Sequence, residues 1–228
     1  MTRLLTIDTS GLVAQAALAL DGILLTQEKV QSKQASQSLL RLVSDVLRES
    51  GVPLRQVDAI CVVTGPGSFT GLRVGVGVAQ GLSAALAIPL LGVSTLALHA
   101  KAAFRHTNQY NHCVVCLNAR ETEFYVGIYE IVSGQLKLQG EEFVLNLNND
   151  PESNLRNEEY NLIGAGDGWQ HRREITNALR LNLKGEIINN GYTAADIIDL
   201  AQEQFEESKY SLNEVLLPNY VKTQLDYS

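Results

Sequence analysis

Three observations predict a mixed α/β protein of two lobes, each built on a βββαβα unit, with the second lobe degenerate. Three strand-like runs open the chain, two of them joined by Asp21-Gly22. Helix and strand patterns then alternate as far as His106. After a polar bridge, His106 to Asn111, strand signals restart in a looser version of the same order.

The elements follow from residue type and period. Arg3 to Ser10 is an apolar run ending in small polar residues. Val13 to Leu20 and Ile23 to Val30 are strands around an Asp-Gly pair, a strong hairpin signal. Ser32 to Ser50 carries Leu39, Leu40, Val43, Val46 and Leu47 at helical spacing, and Gly51-Val52-Pro53 stops it. Ser36, Ser38 and Leu42 on this helix leave room for another helix. Val57 to Thr64 is a β-branched run of the kind that forms a buried strand, ended by Gly65-Pro66-Gly67.

The helix from Gly71 to Ala87 is the most unusual element. Its four glycines, Gly71, Gly75, Gly77 and Gly81, each cost up to ~1 kcal/mol relative to Ala in a helix interior. Gly71, Gly75 and Ala79 form one i, i+4 row and Gly77, Gly81 and Ala85 another, so two flanks are notched for close backbone approach. Leu72, Val74, Val76, Val78, Leu82 and Leu86 cover most of the rest, and Arg73 and Gln80 give the polar edge. A helix apolar almost all round must be buried on more than one side, and its own sheet covers only one. The other side needs a second helix, from this chain or from a partner.

Pro89 to Val93 is a short strand, and Ser94 caps a helix reaching about His106. In the second half His112 to Ala119, Phe124 to Val132 and Gln135 to Leu147 read as strands, with a turn at Ser133-Gly134. Tyr160 to Ala165 is a further strand, and Gly164-Ala165-Gly166-Asp167-Gly168 leads into a helix at Trp169 to Leu181. Glu186 to Asn189 reads as strand, and Thr193 caps a helix to about Ser208. The predicted lobes are residues 1–108 and 109–228, the final segment returning to the first lobe.

Composition narrows the function. With 228 residues, 45% hydrophobic and 19% charged, the chain is globular, and its formal net charge of −7 leaves no basic stripe to hold nucleic acid unaided. No signal-peptide pattern follows Met1-Thr2-Arg3, no apolar run is long enough to span a bilayer, and the cysteines number three. A cytoplasmic protein with reduced thiols is expected, without membrane association. Cys113 and Cys116 lie in a strand-like run, where residues three apart point to opposite faces, and no second pair completes a zinc site.

Candidate chemistry is sparse. His99, His106, His112 and His171 include no i, i+4 pair, so no metal site is expected. Ser68 is not in a G-x-S-x-G elbow, and no histidine is tied to it by spacing. Gly65, Gly67 and Ser68 form a strand-to-helix turn able to face a phosphate, and Asp8, Thr9 and Ser10 end the first strand where a phosphotransferase of the actin-like class carries an Asp. The order of elements is that of the actin, sugar-kinase and Hsp70 ATPase (ASKHA) architecture.

The run Gly65-Pro66-Gly67-Ser68-Phe69-Thr70-Gly71-Leu72-Arg73-Val74-Gly75, with Ile7-Asp8-Thr9-Ser10, Gly81-Leu82 and Gly92-Val93-Ser94-Thr95-Leu96, closely resembles the TsaB family, also called YeaZ. The match is strong over about the first hundred residues; beyond them, Asn118-Ala119-Arg120 resembles the family's Asp-Ala-Arg segment and Leu217 to Val221 its Pro-x-Tyr ending. Two departures stand out: Asn118 replaces Asp, and the helix starting near Gln34 reads Leu39-Leu40-Arg41, without the His and Leu-Leu-Pro often found there.

The resemblance implies a non-catalytic subunit that pairs with TsaD, the transferase acting on adenosine beside the anticodon of certain tRNAs, and with the ATPase TsaE. It implies a homodimer when TsaD is absent, no cofactor on this chain alone, ATP and a divalent metal on the partners, and tRNA reached only through the complex. Pairing is expected through the helices at residues 33–50 and 71–87. The expected interface residues are Leu39, Leu42, Val43 and Val46 on the first and Gly71, Arg73, Val74, Gly75, Gly77, Val78, Gln80 and Gly81 on the second. Leu at Gly75 or Gly77 is expected to abolish pairing in a chain that still folds. The alternatives are a stand-alone ATP-dependent phosphotransferase and, less well supported by these residues, a peptidase.

Overall fold

The computed structural model describes residues 2–20, 23–30, 35–107, 109–148, 162–183, 185, 187–189, 191–207, 216–219 and 221. The first sheet has order β3-β2-β1-β4-β5, from strands β1 (Leu4–Asp8), β2 (Val13–Leu20), β3 (Ile23–Val30), β4 (Ala59–Gly65) and β5 (Leu90–Ser94). β1, β2 and β3 are antiparallel, and β4 and β5 add in parallel. The β2–β3 register closes on Leu20 opposite Ile23, as a two-residue hairpin requires; Asp21 and Gly22 themselves lie outside the described residues.

Period two decides the faces of this sheet. Leu5, Ile7, Ile60 and Val62 join Leu39, Leu42, Val43 and Val46 of α1 (Ala35–Ser50) and Val76 and Ala79 of α2 (Phe69–Leu86) in one core. Residues 32–34, expected to begin the first helix, lie outside the described residues. The opposite face of the sheet is covered by α5 (Ala194–Glu207), with Ala194, Ile197, Ile198 and Ala201 buried. Thr193 and Asp196 fix the start of α5 reciprocally: the Thr193 N–H and hydroxyl donate to Asp196 Oδ2 at 2.7 and 2.9 Å, and the Asp196 N–H donates to the Thr193 carbonyl at 3.0 Å.

The second sheet repeats the plan. Its order is β11-β10-β6-β7-β8, with β9 also on β7, from β6 (His112–Arg120), β7 (Glu123–Val132), β8 (Gln135–Leu138), β9 (Phe143–Asn146), β10 (Leu162–Ala165) and β11 (Ile187–Ile188). β10 and β11 add in parallel, as β4 and β5 do. The expected single strand from Gln135 to Leu147 is instead two: Gly140 turns the chain with φ 75°, and the two short strands pair with successive halves of β7. The strand starts expected at Tyr160 and Glu186 and the helix end at Ser208 lie outside the described residues.

One face of this sheet packs Val114, Cys116, Phe124 and Leu145 against Trp169, Ile175 and Leu179. The other packs Cys113, Val115, Tyr129 and Ile163 against Leu96, Ala100, Ala103 and Phe104 of α3 (Thr95–His106). Cys113 and Cys116 therefore do face opposite ways, and both are buried free thiols.

The compact units are Met1–Thr95 with Thr193–Asn219, and Leu96–Tyr192 with Tyr220–Ser228, rather than residues 1–108 and 109–228. The difference has a packing cause. α3 follows the last strand of the first sheet but contributes its apolar side to the second core. α5 follows the last strand of the second sheet and covers the first.

Candidate functional site

The site is built on α2 and the turn that launches it. β4 ends at Gly65, where φ is 113° and the peptide to Pro66 is cis. Ser68 is the N-cap, its Oγ accepting from the Gly71 N–H at 3.3 Å. Among the 18 residues of α2, the sole charge is Arg73, whose guanidinium stacks on the exposed Phe69 ring at 3.6 Å from its centroid.

The two rows of small residues on α2 have different surroundings. Gly71, Gly75 and Ala79 are buried. The Thr9 hydroxyl donates to the Gly71 carbonyl at 2.7 Å, and a Cβ at Gly75 would overlap Thr9 Oγ1. This row lets the end of β1 press against the helix. Among the described residues, no atom apart from the helix's own nearby backbone lies within 4 Å of where a Cβ would stand at Gly77 or Gly81, and Ala84 and Ala85 are exposed with them. This outward strip is rimmed by the half-buried Val74, Val78 and Leu82 and approached by exposed Thr70 and Arg73.

Several expected interface residues are thereby corrected. Leu39, Leu42, Val43 and Val46 lie in the core under α1, because the helix turns its apolar stripe to its own sheet; the exposed large apolar side chain on the described part of α1 is Leu40. Gly71 and Gly75 face Thr9 rather than a partner, so Leu at Gly75 would disrupt this chain's own packing. The Gln80 carboxamide donates to the Leu216 carbonyl at 2.6 Å. Arg73, Val74, Gly77, Val78 and Gly81 remain on the outer side.

The residues expected near a phosphate do come together, but against one another. Asp8 Oδ1 accepts from the Ser10 N–H at 2.8 Å, and the Ser10 carbonyl accepts from the Ser68 N–H at 2.6 Å. A Cβ on Gly67 would stand 2.5 Å from that carbonyl, so Gly67 is needed for the two turns to touch. With Ser68 Oγ capping Gly71, two donors at the start of α2 are engaged internally. Gly65 makes room for the Leu72 side chain and the Asn219 carbonyl.

The second glycine turn has the same logic. A Cβ at Gly166 would overlap the Cys116 carbonyl, and one at Gly168 would lie 2.9 Å from it. Gly164 accommodates the Trp169 ring, whose indole N–H donates to the Val114 carbonyl at 3.0 Å. Asp167 accepts from the Asn118 N–H at 2.9 Å, so Asn118 is held through its backbone. Instead of one helix from Trp169 to Leu181, a 3-10 turn over Asp167–His171 leads into α4 (Arg172–Ala178).

The cysteine thiols are not poised as nucleophiles. Burial pushes the thiols of Cys61, Cys113 and Cys116 far up, with Asp8 adding to the effect at Cys61 and Asp167 at Cys116. Burial lowers the pKa of His99, which Asp167 partly opposes. Among the described residues no group of three His, Cys, Asp or Glu side chains could hold a metal ion, and no helix is long and apolar enough to cross a membrane.

The final segment is expected to return to the first lobe, and its described part as far as Asn219 does so. Leu216–Asn219 returns to the first unit: the Asn219 N–H donates to the Thr64 carbonyl at 2.8 Å, and the Leu216 side chain sits over Gly92, where a Cβ would be 2.6 Å from Leu216 Cδ1. These contacts rest on four residues, too few for a period to reveal.

Comparison with known proteins places this architecture. The family model described as TsaD, tRNA N6-adenosine threonylcarbamoyltransferase, matches residues 23–176. The tRNA threonylcarbamoyladenosine biosynthesis protein TsaB of Escherichia coli K12 is 31% identical over 98% of this chain and 96% of its own. A crystal structure of a Pseudomonas aeruginosa protein described by its similarity to the peptidase YeaZ superposes with TM-score 0.80 at 32% identity, covering 97% of this chain and 100% of that one. A Streptococcus pneumoniae ROK family protein in complex with sucrose shares the fold alone, with TM-score 0.50 and 11% identity over 92% of this chain and 100% of that one. With two sheets of one plan, a helix notched on two flanks and relatives matched along nearly its whole length, the chain belongs to the TsaB family of tRNA threonylcarbamoyladenosine biosynthesis proteins.

Proposed function

We propose that the protein is a non-catalytic subunit in threonylcarbamoyl modification of tRNA adenosine, docking a TsaD-type transferase through the outward strip of α2. The observation that carries this reading is the bare row Gly77, Gly81, Ala84 and Ala85, an apolar surface notched to backbone depth that nothing in the described chain covers. Glycine in a helix interior is unfavourable, so two glycines that meet no other element among the described residues are accounted for by a helix packing on them from outside. Phe69 and Arg73 at one end supply an aromatic and a cation, residue types that anchor interfaces.

In this reading the transferase chemistry, ATP and divalent metal belong to the TsaD-type and TsaE-type partners, tRNA is reached only through the complex, and the assembly works in the cytoplasm. The same strip serves a homodimer when the transferase is absent. Asp8 and the first glycine turn act as packing elements, since Asp8 accepts from the Ser10 N–H and the Ser10 carbonyl accepts from the Ser68 N–H.

The test is Gly77→Leu and Gly81→Leu, assayed by co-purification with a TsaD-type partner and by sedimentation of the chain alone. Both variants should fold, lose the partner and sediment as monomers. Retention of the partner by folded Gly77→Leu would place the docking surface elsewhere.

A further inference from the structure

We infer that Leu216–Asn219 is a strap that sets the rotation of α2, with Gln80 as its positioning residue; the inference rests on α2 being the docking helix. The strap touches three elements of the first unit. Its Leu216 carbonyl accepts from Gln80 Nε2 of α2 at 2.6 Å, and its Asn219 N–H donates to Thr64 of β4 at 2.8 Å. Its Leu216 side chain lies over Gly92 of β5 and packs against the core that holds Val76 and Ala79. Leu217, next in the chain, points away and is 68% exposed, so the contacts are made by Leu216 and Asn219.

The place of this contact along α2 gives it a role beyond closing off a chain end. α2 is secured near its start by Thr9, through Gly71 and Gly75. At Gly77 and Gly81 the outward row meets no neighbouring element among the described residues, and glycine gives the helix little stability of its own. Gln80 stands between Gly77 and Gly81, at the level of the bare strip, and is tied to the strap there. A surface that works by backbone approach tolerates little helix rotation, so fixing α2 beforehand removes an ordering cost from docking.

Hydrogen exchange on the isolated chain and affinity for a TsaD-type partner test this together. Gln80→Met keeps side-chain length and loses the donor, Leu216→Ala empties the seat over Gly92, and Leu217→Ala is the control. The first two should speed exchange of α2 amides beyond Gly77 by about 5- to 10-fold, in keeping with loss of one hydrogen bond, and weaken partner affinity by a similar factor. Exchange in β6 and β10 should not change, and Leu217→Ala should match the natural chain in both measurements. Unaltered α2 exchange in both Gln80→Met and Leu216→Ala, or faster exchange with undiminished affinity, overturns the strap. Gly77→Leu keeps the two readings apart: full affinity in that variant removes the docking site, while exchange in the isolated chain still decides whether the strap holds α2.

Discussion

The two glycine turns sit at matching places in the two units, yet the helices beyond them differ. After β4 and after β10 the chain turns on a glycine of positive φ, 113° at Gly65 and 99° at Gly166. In both units a carbonyl near the first strand crowds the turn, Ser10 over Gly67 and Cys116 over Gly166 and Gly168. In the second unit the next helix is 7 residues, with Ile175 buried and Arg172, Arg173 and Glu174 in solvent. In the first it is 18 residues, and its outer strip bears glycine and alanine instead of charge. The glycines of these two turns therefore answer to packing within the chain, whereas Gly77 and Gly81, inside a helix, meet no neighbouring element among the described residues.

Substitutions that put a β-carbon on each kind of glycine would sharpen or break that contrast. The largest effect is expected from Gly75→Val on the inner row, where overlap with Thr9 should lower stability by about 3 kcal/mol or more in urea denaturation. Gly166→Ala combines a positive φ with overlap on Cys116 and should cost about 2 kcal/mol, read from the fluorescence of the sole tryptophan, Trp169, in the second unit. Gly77→Ala, on the outer row, should instead raise the stability of the isolated chain by up to ~1 kcal/mol; a loss of stability there would mean that this row is internal after all.

The smallest effect concerns pH. His99 has its folded pKa lowered by burial, so between that value and the ordinary histidine pKa the unfolded chain binds the extra proton. Stability from this group is complete above about pH 6.5 and falls as pH drops through the window below it. Urea denaturation at pH 7.5 and 5.5 should show a smaller acid loss in His99→Gln than in the natural chain, and equal losses would remove His99 from the account.

Local chemistry made much of this legible. The Asp-Gly pair set the β2–β3 hairpin, Ser68 and Thr193 marked helix starts, and period two put Cys113 and Cys116 on opposite faces. Spacing also separated the two rows on α2. Which row turns inward was not legible, because that depends on Thr9, about 60 residues earlier in the chain. The apolar stripe of α1 likewise says that a face is covered and not by what, so Leu39 and Val46 read equally well as core or as interface. The break at Gly140 was signalled by the polar stretch Gln139-Gly140-Glu141-Glu142, which a single strand from Gln135 to Leu147 runs across. The return of the final segment to the first lobe was legible, but not that Leu216 would seat over Gly92 and accept from Gln80, since those contacts rest on one carbonyl and one side chain.

The exchange of covering helices also bears on biosynthesis. A ribosome works from the amino terminus, so β1 to β5 emerge with α1 and α2 ready to clothe one side of their sheet, while α5, residues 194–207, is still untranslated. Until it arrives, Leu4, Cys61 and Val63 lie on a greasy side without its natural cover. The nascent amino-terminal half must stay half-dressed, and open to chaperones, for most of its translation.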